Sequence, residues 1–321
     1  MRFLSIIIPI YNCEKYIARC LDSIFQSDIP RELYEVIVIN DGSTDNGRII
    51  VNQYLNIFDN IKYLEQINQG QGVARNYGIN ECSGEYIWFV DGDDMVVPNL
   101  YCLLQYIMSH PQIDIVGINM RYLTEEGDEI PCFQQKLKRN VIMSGRDVII
   151  EGFESSSVCT LIVRHHFLNE NNLRFCSGIT HEDVELSYRM VVYAKTICFS
   201  DFVSYVYLIH KGSTSQAIIP EKQIKYICDD IEIVKSLNHL AQKFENRDAV
   251  LANIIKQRAR NITFGTVFSL LQNKRKWKSI GLNSCVIKKM KSENLYPLKG
   301  PFNSIAKTIL SWFLNIERVI N

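Results

Sequence analysis

The run Tyr86-Ile87-Trp88-Phe89-Val90-Asp91-Gly92-Asp93-Asp94 constrains this chain more than any other stretch. Its apolar part has no polar break, which predicts a strand buried on both faces, as in a parallel sheet covered by helices. Asp91, Asp93 and Asp94 then fall at the carboxyl end of that strand, where open α/β sheets bind ligands. Crowded carboxylates repel one another, and a hard divalent cation bridging to a phosphate would relieve the repulsion, which suits Mg²⁺ or Mn²⁺. An acidic turn with Asp94 near a helix start is the alternative, and the segment alone leaves both open.

The first hundred residues repeat the same unit. Leu4–Ile10 is a short apolar strand, followed by helical periodicity from Cys13 to Gln26 with Ile17, Cys20, Leu21 and Ile24 on one face. Tyr34–Asn40 is a second buried strand, and Asp41-Gly42-Ser43-Thr44-Asp45 reads as a turn with a helix cap. A helix through Gln53 and Leu55, a strand near Ile61–Glu65 and a helix opened by Gly70-Gln71-Gly72 lead to the strand at Tyr86. Such alternation predicts an α/β fold with a mostly parallel, doubly wound sheet. Residues 119–145 read as an antiparallel excursion turning at Glu125-Glu126-Gly127-Asp128, Thr180–Ala194 as a helix, and 196–208 as strands. From residue 221 onward the pattern is helical, ending in an amphipathic helix over Pro301–Ile320 that carries Ile305, Ile309, Trp312, Phe313 and Ile320.

Charge divides the chain at nearly the same place. Residues 1–220 hold 17 Lys+Arg against 27 Asp+Glu, and 221–321 hold 18 against 8, although the whole is neutral. A basic end on an acidic body points to an anionic surface as partner. The ten cysteines show no CxxC spacing and several lie within apolar runs, so buried thiols in a reducing compartment are expected rather than a zinc site or disulfides. Met1-Arg2 runs straight into a strand, and no apolar run reaches the roughly 18 residues of a membrane span. A cytoplasmic protein is expected.

The candidate ligand-binding residues all leave strand ends, where a doubly wound sheet gathers them into one crevice. Tyr11 could stack on a base, and Asp41 could accept hydrogen bonds from a base or ribose or simply hold a turn. Arg75 could neutralise a phosphate or be a solvated helix arginine. Downstream, the pair Glu182-Asp183 at a helix start could supply a general base for a hydroxyl nucleophile, while Thr180-x-x-Asp183 has capping-box spacing. His210 and Lys211 could stabilise a departing diphosphate or lie on a surface loop. The pair His165-His166 has no partner at metal-ligand spacing and reads as structural.

Four motifs together resemble family 2 glycosyltransferases: Ser5-Ile6-Ile7-Ile8-Pro9-Ile10-Tyr11-Asn12, Val38-Ile39-Asn40-Asp41-Gly42-Ser43-Thr44-Asp45, Asn68-Gln69-Gly70-Gln71-Gly72-Val73-Ala74-Arg75-Asn76 and Gly84–Asp94. The likeness is dense over residues 3–100 and sparse to about 215. It implies a GT-A fold, with a catalytic domain at 1–220 (a nucleotide-binding half at 1–100, an acceptor half at 101–220); the basic helical region at 221–321 lies outside the likeness. It further implies a nucleotide-sugar donor, usually of uridine, lined by Pro9, Tyr11 and Asp41, with Arg75 approaching the base or phosphates. Asp91 would contact ribose or donor sugar and share with Asp93 a Mn²⁺ or Mg²⁺ that bridges the diphosphate. Asp183 would be the base of an inverting transfer, Glu182 a positioning residue, and His210 a group near the leaving diphosphate. Many relatives carry an arginine where this chain has Leu208, which departs from the pattern.

The implied acceptor is a glycan or lipid-linked glycan of surface polysaccharide synthesis. The basic region, with Trp277, Trp312 and Phe313, could lie on an anionic inner membrane face, or form a solvated helical bundle. Nucleic acid is not expected, because no RNA-binding or helix-turn-helix signature accompanies the charge. Two rival functions remain at this level: a metal-dependent nucleotidyltransferase, whose usual phosphate loop is missing near the first strand, and a non-catalytic nucleotide- or glycan-binding module.

Overall fold

The computed structural model describes residues 2–131, 136–155, 157–210, 220–278, 282–302 and 304–320. The chain forms two compact units, Met1–Gly178 with Glu182–Gln216, and Ile179–His181 with Ala217–Asn321. The first opens with β1 (Leu4–Ile10), α1 (Ile17–Phe25), β2 (Tyr34–Asp41), α2 (Gly47–Leu55), β3 (Ile61–Gln66), α3 (Gln71–Glu81) and β4 (Tyr86–Phe89). It continues through β5 (Met95–Val96), α4 (Tyr101–Met108), β6 (Ile115–Thr124), β7 (Glu129–Ile130), β8 (Ile142–Met143) and α5 (Gly145–Ile150). β9 (Leu161–Arg164), α6 (His165–Glu170), α7 (Glu182–Tyr193) and β10 (Ile197–Ile209) complete it.

These strands make one sheet in the order β3-β2-β1-β4-β9-β6-β10-β5. β3, β2, β1 and β4 are parallel, with Leu4 opposite both Tyr34 and Tyr86. Every residue of β1, β2 and β4 is buried, which is why these strands read as unbroken apolar runs. Beyond β4 the sheet is mixed: β9 runs antiparallel to β4 and β6, and β5 antiparallel to β10. The chain steps from β1 outward to β3 and then returns to place β4 on the other side of β1. That reversal opens a crevice at the carboxyl ends of β1 and β4.

Among the described residues the antiparallel excursion is short: β6 runs on to Thr124, β7 folds back on it across the Glu125–Asp128 turn, and β8 pairs antiparallel with β10. Residues 196–208 form one strand rather than several. β10 pairs with β6 along its length, interrupted by register shifts between Phe199 and Tyr205. Such irregularities bend a strand and re-aim its side chains. Here the bend is followed by Tyr205 and Leu208, which reach the acidic turn after β4.

The second unit holds α8 (Pro220–Phe244), α9 (Ala249–Gln272), α10 (Lys274–Lys278), α11 (Leu282–Ser292), α12 (Ile305–Leu314) and α13 (Glu317–Ile320). Trp277 is buried with Phe264, Val286, Met290 and Leu314, so it belongs to this core and not to a membrane-facing surface. The single terminal helix expected over Pro301–Ile320 is two helices. Asn315 ends the first because its side chain is captured by the Leu298 backbone, accepting from N at 2.6 Å and donating to O at 3.1 Å. Its apolar residues also divide: Ile320 enters the core, whereas Ile305, Ile309, Trp312 and Phe313 stay exposed.

Candidate active site

The loops after β1, β2 and β3 are tied to one another before any ligand is considered. Asn12, at a φ of 51°, accepts from Thr44 N at 2.8 Å while its own N–H donates to Ser43 Oγ at 3.1 Å. Asp41 is buried and accepts from Gln66 Nε2 (2.7 Å), Gln69 N (2.9 Å) and Gly70 N (2.9 Å). Its first task is therefore to shape the Asn68–Gly70 loop, and Oδ2, with one donor, keeps capacity for another. Gly42, at a φ of 73°, allows this closure, since a Cβ there would lie 2.8 Å from Asn68 N.

These loops enclose a cleft of about 350 Å³ lined by Pro9, Tyr11, Cys13, Asp41, Asn68, Gln71, Asp91 and Asp93. Five of its lining residues are thus ones that the motifs singled out; Cys13, Asn68 and Gln71 are additions. Tyr11 is 52 % exposed and offers a ring face for stacking. Cys13 is no nucleophile: burial, with Asp93 and Asp45 nearby, pushes its thiol up to about 12.

The three carboxylates after β4 have three different environments. Asp91 Oδ1 accepts from Gln71 Nε2 at 2.8 Å and from the Arg75 guanidinium at 2.7 Å, and Oδ2 has no partner among the described residues. Asp93 Oδ2 lies 3.0 Å from His210 Nε2, whose ring rests on Tyr16 with centroids 4.2 Å apart. His210 Nδ1 is buried without a partner among the described residues, so the geometry assigns the donor proton to Nε2, facing the carboxylate. Burial and the charge of Asp91 raise the Asp93 carboxyl above its ordinary range, against the pull of His210.

Asp94, 2 % exposed, does not reach the cleft. It accepts from Tyr205 Oη at 2.6 Å and Leu208 N at 2.8 Å, and the same hydroxyl accepts from Asp91 N at 3.1 Å. Burial first, then Asp93 and Asp91, raise its carboxyl well above the usual range. Asp94 is thus a latch between the acidic turn and β10. Asp94→Ala leaves the donor proton of the buried Tyr205 hydroxyl and the buried Leu208 N–H without acceptors and is expected to cost about 2–4 kcal/mol, read as a lower urea midpoint. Leu208 is a buried apolar side chain beside this latch.

Arg75 departs most from expectation. It is 2 % exposed, with one terminal nitrogen on Asp91 and the other 2.8 Å from Glu182 Oε1, and its guanidinium lies over the Phe175 ring. Burial alone would weaken its hold on a proton, but the two carboxylates reverse the effect and keep it charged. It is not a solvated helix arginine: it joins the acidic turn to the start of α7. Gly72 permits the join, because a Cβ there would come within 2.8 Å of Glu182 Cγ.

The start of α7 also decides between two readings of Thr180-His181-Glu182-Asp183. The helix begins at Glu182, and Thr180 donates from N and Oγ1 to Asp229 Oδ2 at 2.6 and 2.8 Å, so the spacing is not used as a capping box. Glu182 is buried, and burial raises its carboxyl, offset in part by Arg75. Asp183 is half-buried and accepts from Val184 N at 2.8 Å. A carboxylate on the first turn of a helix is favoured in its ionised form. Lys211 lies outside the described residues.

Among the described residues no three His, Cys, Asp or Glu side chains form a ready-made metal centre. A cation that keeps its own waters and takes phosphate oxygens needs fewer protein donors. The cleft-side carboxylates Asp91 and Asp93, each with an oxygen that no described residue engages, fit that lesser demand.

The fold is that of the GT-A glycosyltransferases. Over 90 % of this chain and 81 % of the other, the fold superposes on the crystal structure of Staphylococcus aureus TarS 1–349 in complex with UDP-GlcNAc, with a TM-score of 0.67 at 24 % identity. Residues 5–157 match the model of glycosyl transferase family 2. That match takes in just under half of the chain and, with the glycosyltransferase relatives that follow, supports a transferase. The chain is 29 % identical over 253 residues to the uncharacterized glycosyltransferase YibD of Escherichia coli, covering 76 % of this chain and 72 % of that one. It is also 29 % identical over 233 residues to a poly(ribitol-phosphate) beta-glucosyltransferase of Bacillus spizizenii, with 71 % of this chain spanning 36 % of that protein.

Proposed function

We propose that this enzyme transfers a sugar, with inversion, from a UDP-sugar to a hydroxyl of a glycan or lipid-linked glycan in surface polysaccharide synthesis. The observation that carries the reading is the chain of contacts Asp91–Arg75–Glu182. It joins the strand-end cleft, suited to a nucleotide, to the helix start that bears Asp183. The UDP-GlcNAc complex of TarS supports uridine, and the poly(ribitol-phosphate) relative supports a surface polymer as acceptor.

Tyr11 stacks on the base, and Asp41 takes a donor hydrogen bond with its remaining Oδ2 capacity. Asp91, oriented by Gln71 and Arg75, faces ribose or the donor sugar with Oδ2. Asp93 and Asp91 would hold Mn²⁺ or Mg²⁺, which would offset the charge of the departing diphosphate. Asp183 takes the proton of the acceptor hydroxyl as its oxygen attacks the anomeric carbon. The bond to the diphosphate breaks in the same displacement, so configuration inverts. Glu182, pinned by Arg75, positions this turn and does not carry the proton.

Calorimetry with UDP, GDP and dTDP, each with and without Mn²⁺, tests the donor site. Saturable binding of UDP that weakens by about tenfold or more when the metal is chelated is the expected result. Equal binding of all three nucleotides would remove uridine, and no metal-dependent binding of any would remove the site itself.

A further inference from the structure

Trp312 is 68 % exposed, whereas the other two tryptophans, Trp88 and Trp277, are 1 % and 3 % exposed. It does not stand alone. Ile305, Ile309 and Phe313 on the same helix, and Ile316 just beyond it, are each about half exposed or more. Their spacing of i, i+4, i+7, i+8 and i+11 puts them on one face of the helical period. The opposite side is satisfied: Leu314 is buried in the core of its unit, and Lys307 lies over the Phe264 ring. Folding has thus left five large apolar side chains in a single stripe facing outward, a patch of the kind that marks an interaction surface.

Charge says what covers it. Residues 271–321 hold 10 Lys+Arg against 2 Asp+Glu. Both acids are spent internally, Glu293 on Lys235 and Glu317 on Lys291. Arg275, Lys288 and Lys299 are exposed and make no ion pair among the described residues. A second copy meeting this one through the same stripe would set the excess against itself, whereas an anionic lipid surface complements it. The helix has ten residues, a rise of about 15 Å, and no described helix is long and apolar enough to cross a bilayer. Its geometry is that of an element lying in the interface plane, with Trp and Phe at headgroup depth.

We propose that α12 is a membrane-surface element whose Ile305–Ile316 stripe enters the headgroup region of an anionic bilayer, aided by the unpaired cations of the same unit. This inference needs no part of the reading of the donor site. The test uses the full chain without donor or acceptor, and vesicles of phosphatidylcholine with or without phosphatidylglycerol. Since Trp312 is the one exposed tryptophan, its emission reports α12 directly. A blue shift and co-sedimentation with the phosphatidylglycerol vesicles, both weakened by salt, are expected. Trp312→Ser combined with Phe313→Ser should lower co-sedimentation by about tenfold or more without changing the melting temperature, since both side chains are already in water. No shift with anionic vesicles, or equal binding to neutral ones, overturns the proposal. Self-association that the double variant abolishes, without vesicle binding, overturns it in favour of a second copy. Transfer to a soluble acceptor is measured separately, so a failure here leaves the glycosyl-transfer reading standing.

Discussion

Asp183→Asn is expected to bind UDP-sugar as the parent does while losing about 10²–10⁴-fold in turnover, the range that general-base catalysis contributes. Asparagine keeps an oxygen for the Val184 N–H, so that contact in the first turn of α7 is preserved while the proton acceptor is removed. Its neighbour behaves differently. Glu182 is buried on the Arg75 guanidinium, and Glu182→Gln removes a charge from that contact. The glutamine variant should therefore show lowered stability along with lowered rate, whereas Asp183→Asn should show rate loss alone. Donor binding by calorimetry and transfer by release of nucleoside diphosphate separate the two. Undiminished transfer by Asp183→Asn would remove Asp183 as the base, and unchanged stability of Glu182→Gln would remove Glu182 as the positioning residue.

Arg75→Ala carries the largest expected cost in stability. It leaves Asp91 and Glu182 in poorly solvated sites without their counter-charge, and breaking one partner out of a buried ionic network typically costs about 3–5 kcal/mol. Arg75→Lys should recover little, because a single ammonium cannot present two separated donors to two carboxylates in the plane that the guanidinium supplies. Urea denaturation followed by the near-ultraviolet signal of Trp88, whose Nε1 donates to Cys159 O at 2.8 Å inside the first unit, would read the loss in that unit. A cost below about 1 kcal/mol, the level of an exposed pair, would mean that the Asp91–Arg75–Glu182 contacts do not organise the site. If Arg75 instead served the donor phosphates directly, Arg75→Lys would keep stability and weaken nucleotide binding, an opposite pattern.

The parts of this protein legible in its sequence are those governed by short-range periodicity. Unbroken apolar runs such as Ile6–Ile8 and Tyr86–Val90 exist because helices cover both faces of a parallel sheet, so the α/β architecture and its strand-end cleft could be read from them. Tyr11, Asp41, Asp91 and Asp93 could be named because each lies at or just past the end of a strand, whereas Pro9, within β1, is named from the family resemblance alone. Local pattern carries no information about what a side chain meets after the chain has folded back. Arg75 finds Glu182 across 107 positions, and Tyr205 finds Asp94 across 111, so the one is an internal brace and the other contact a latch. Thr180 left its capping-box spacing for Asp229, 49 positions away. The same holds at the chain's other end: periodicity identified an amphipathic terminal helix, but only packing decided that Trp277 and Ile320 turn inward and that Ile305, Ile309, Trp312 and Phe313 face out. Backbone periodicity is a property of neighbours along the chain. Burial, ion pairing and the protonation they set are properties of neighbours in space.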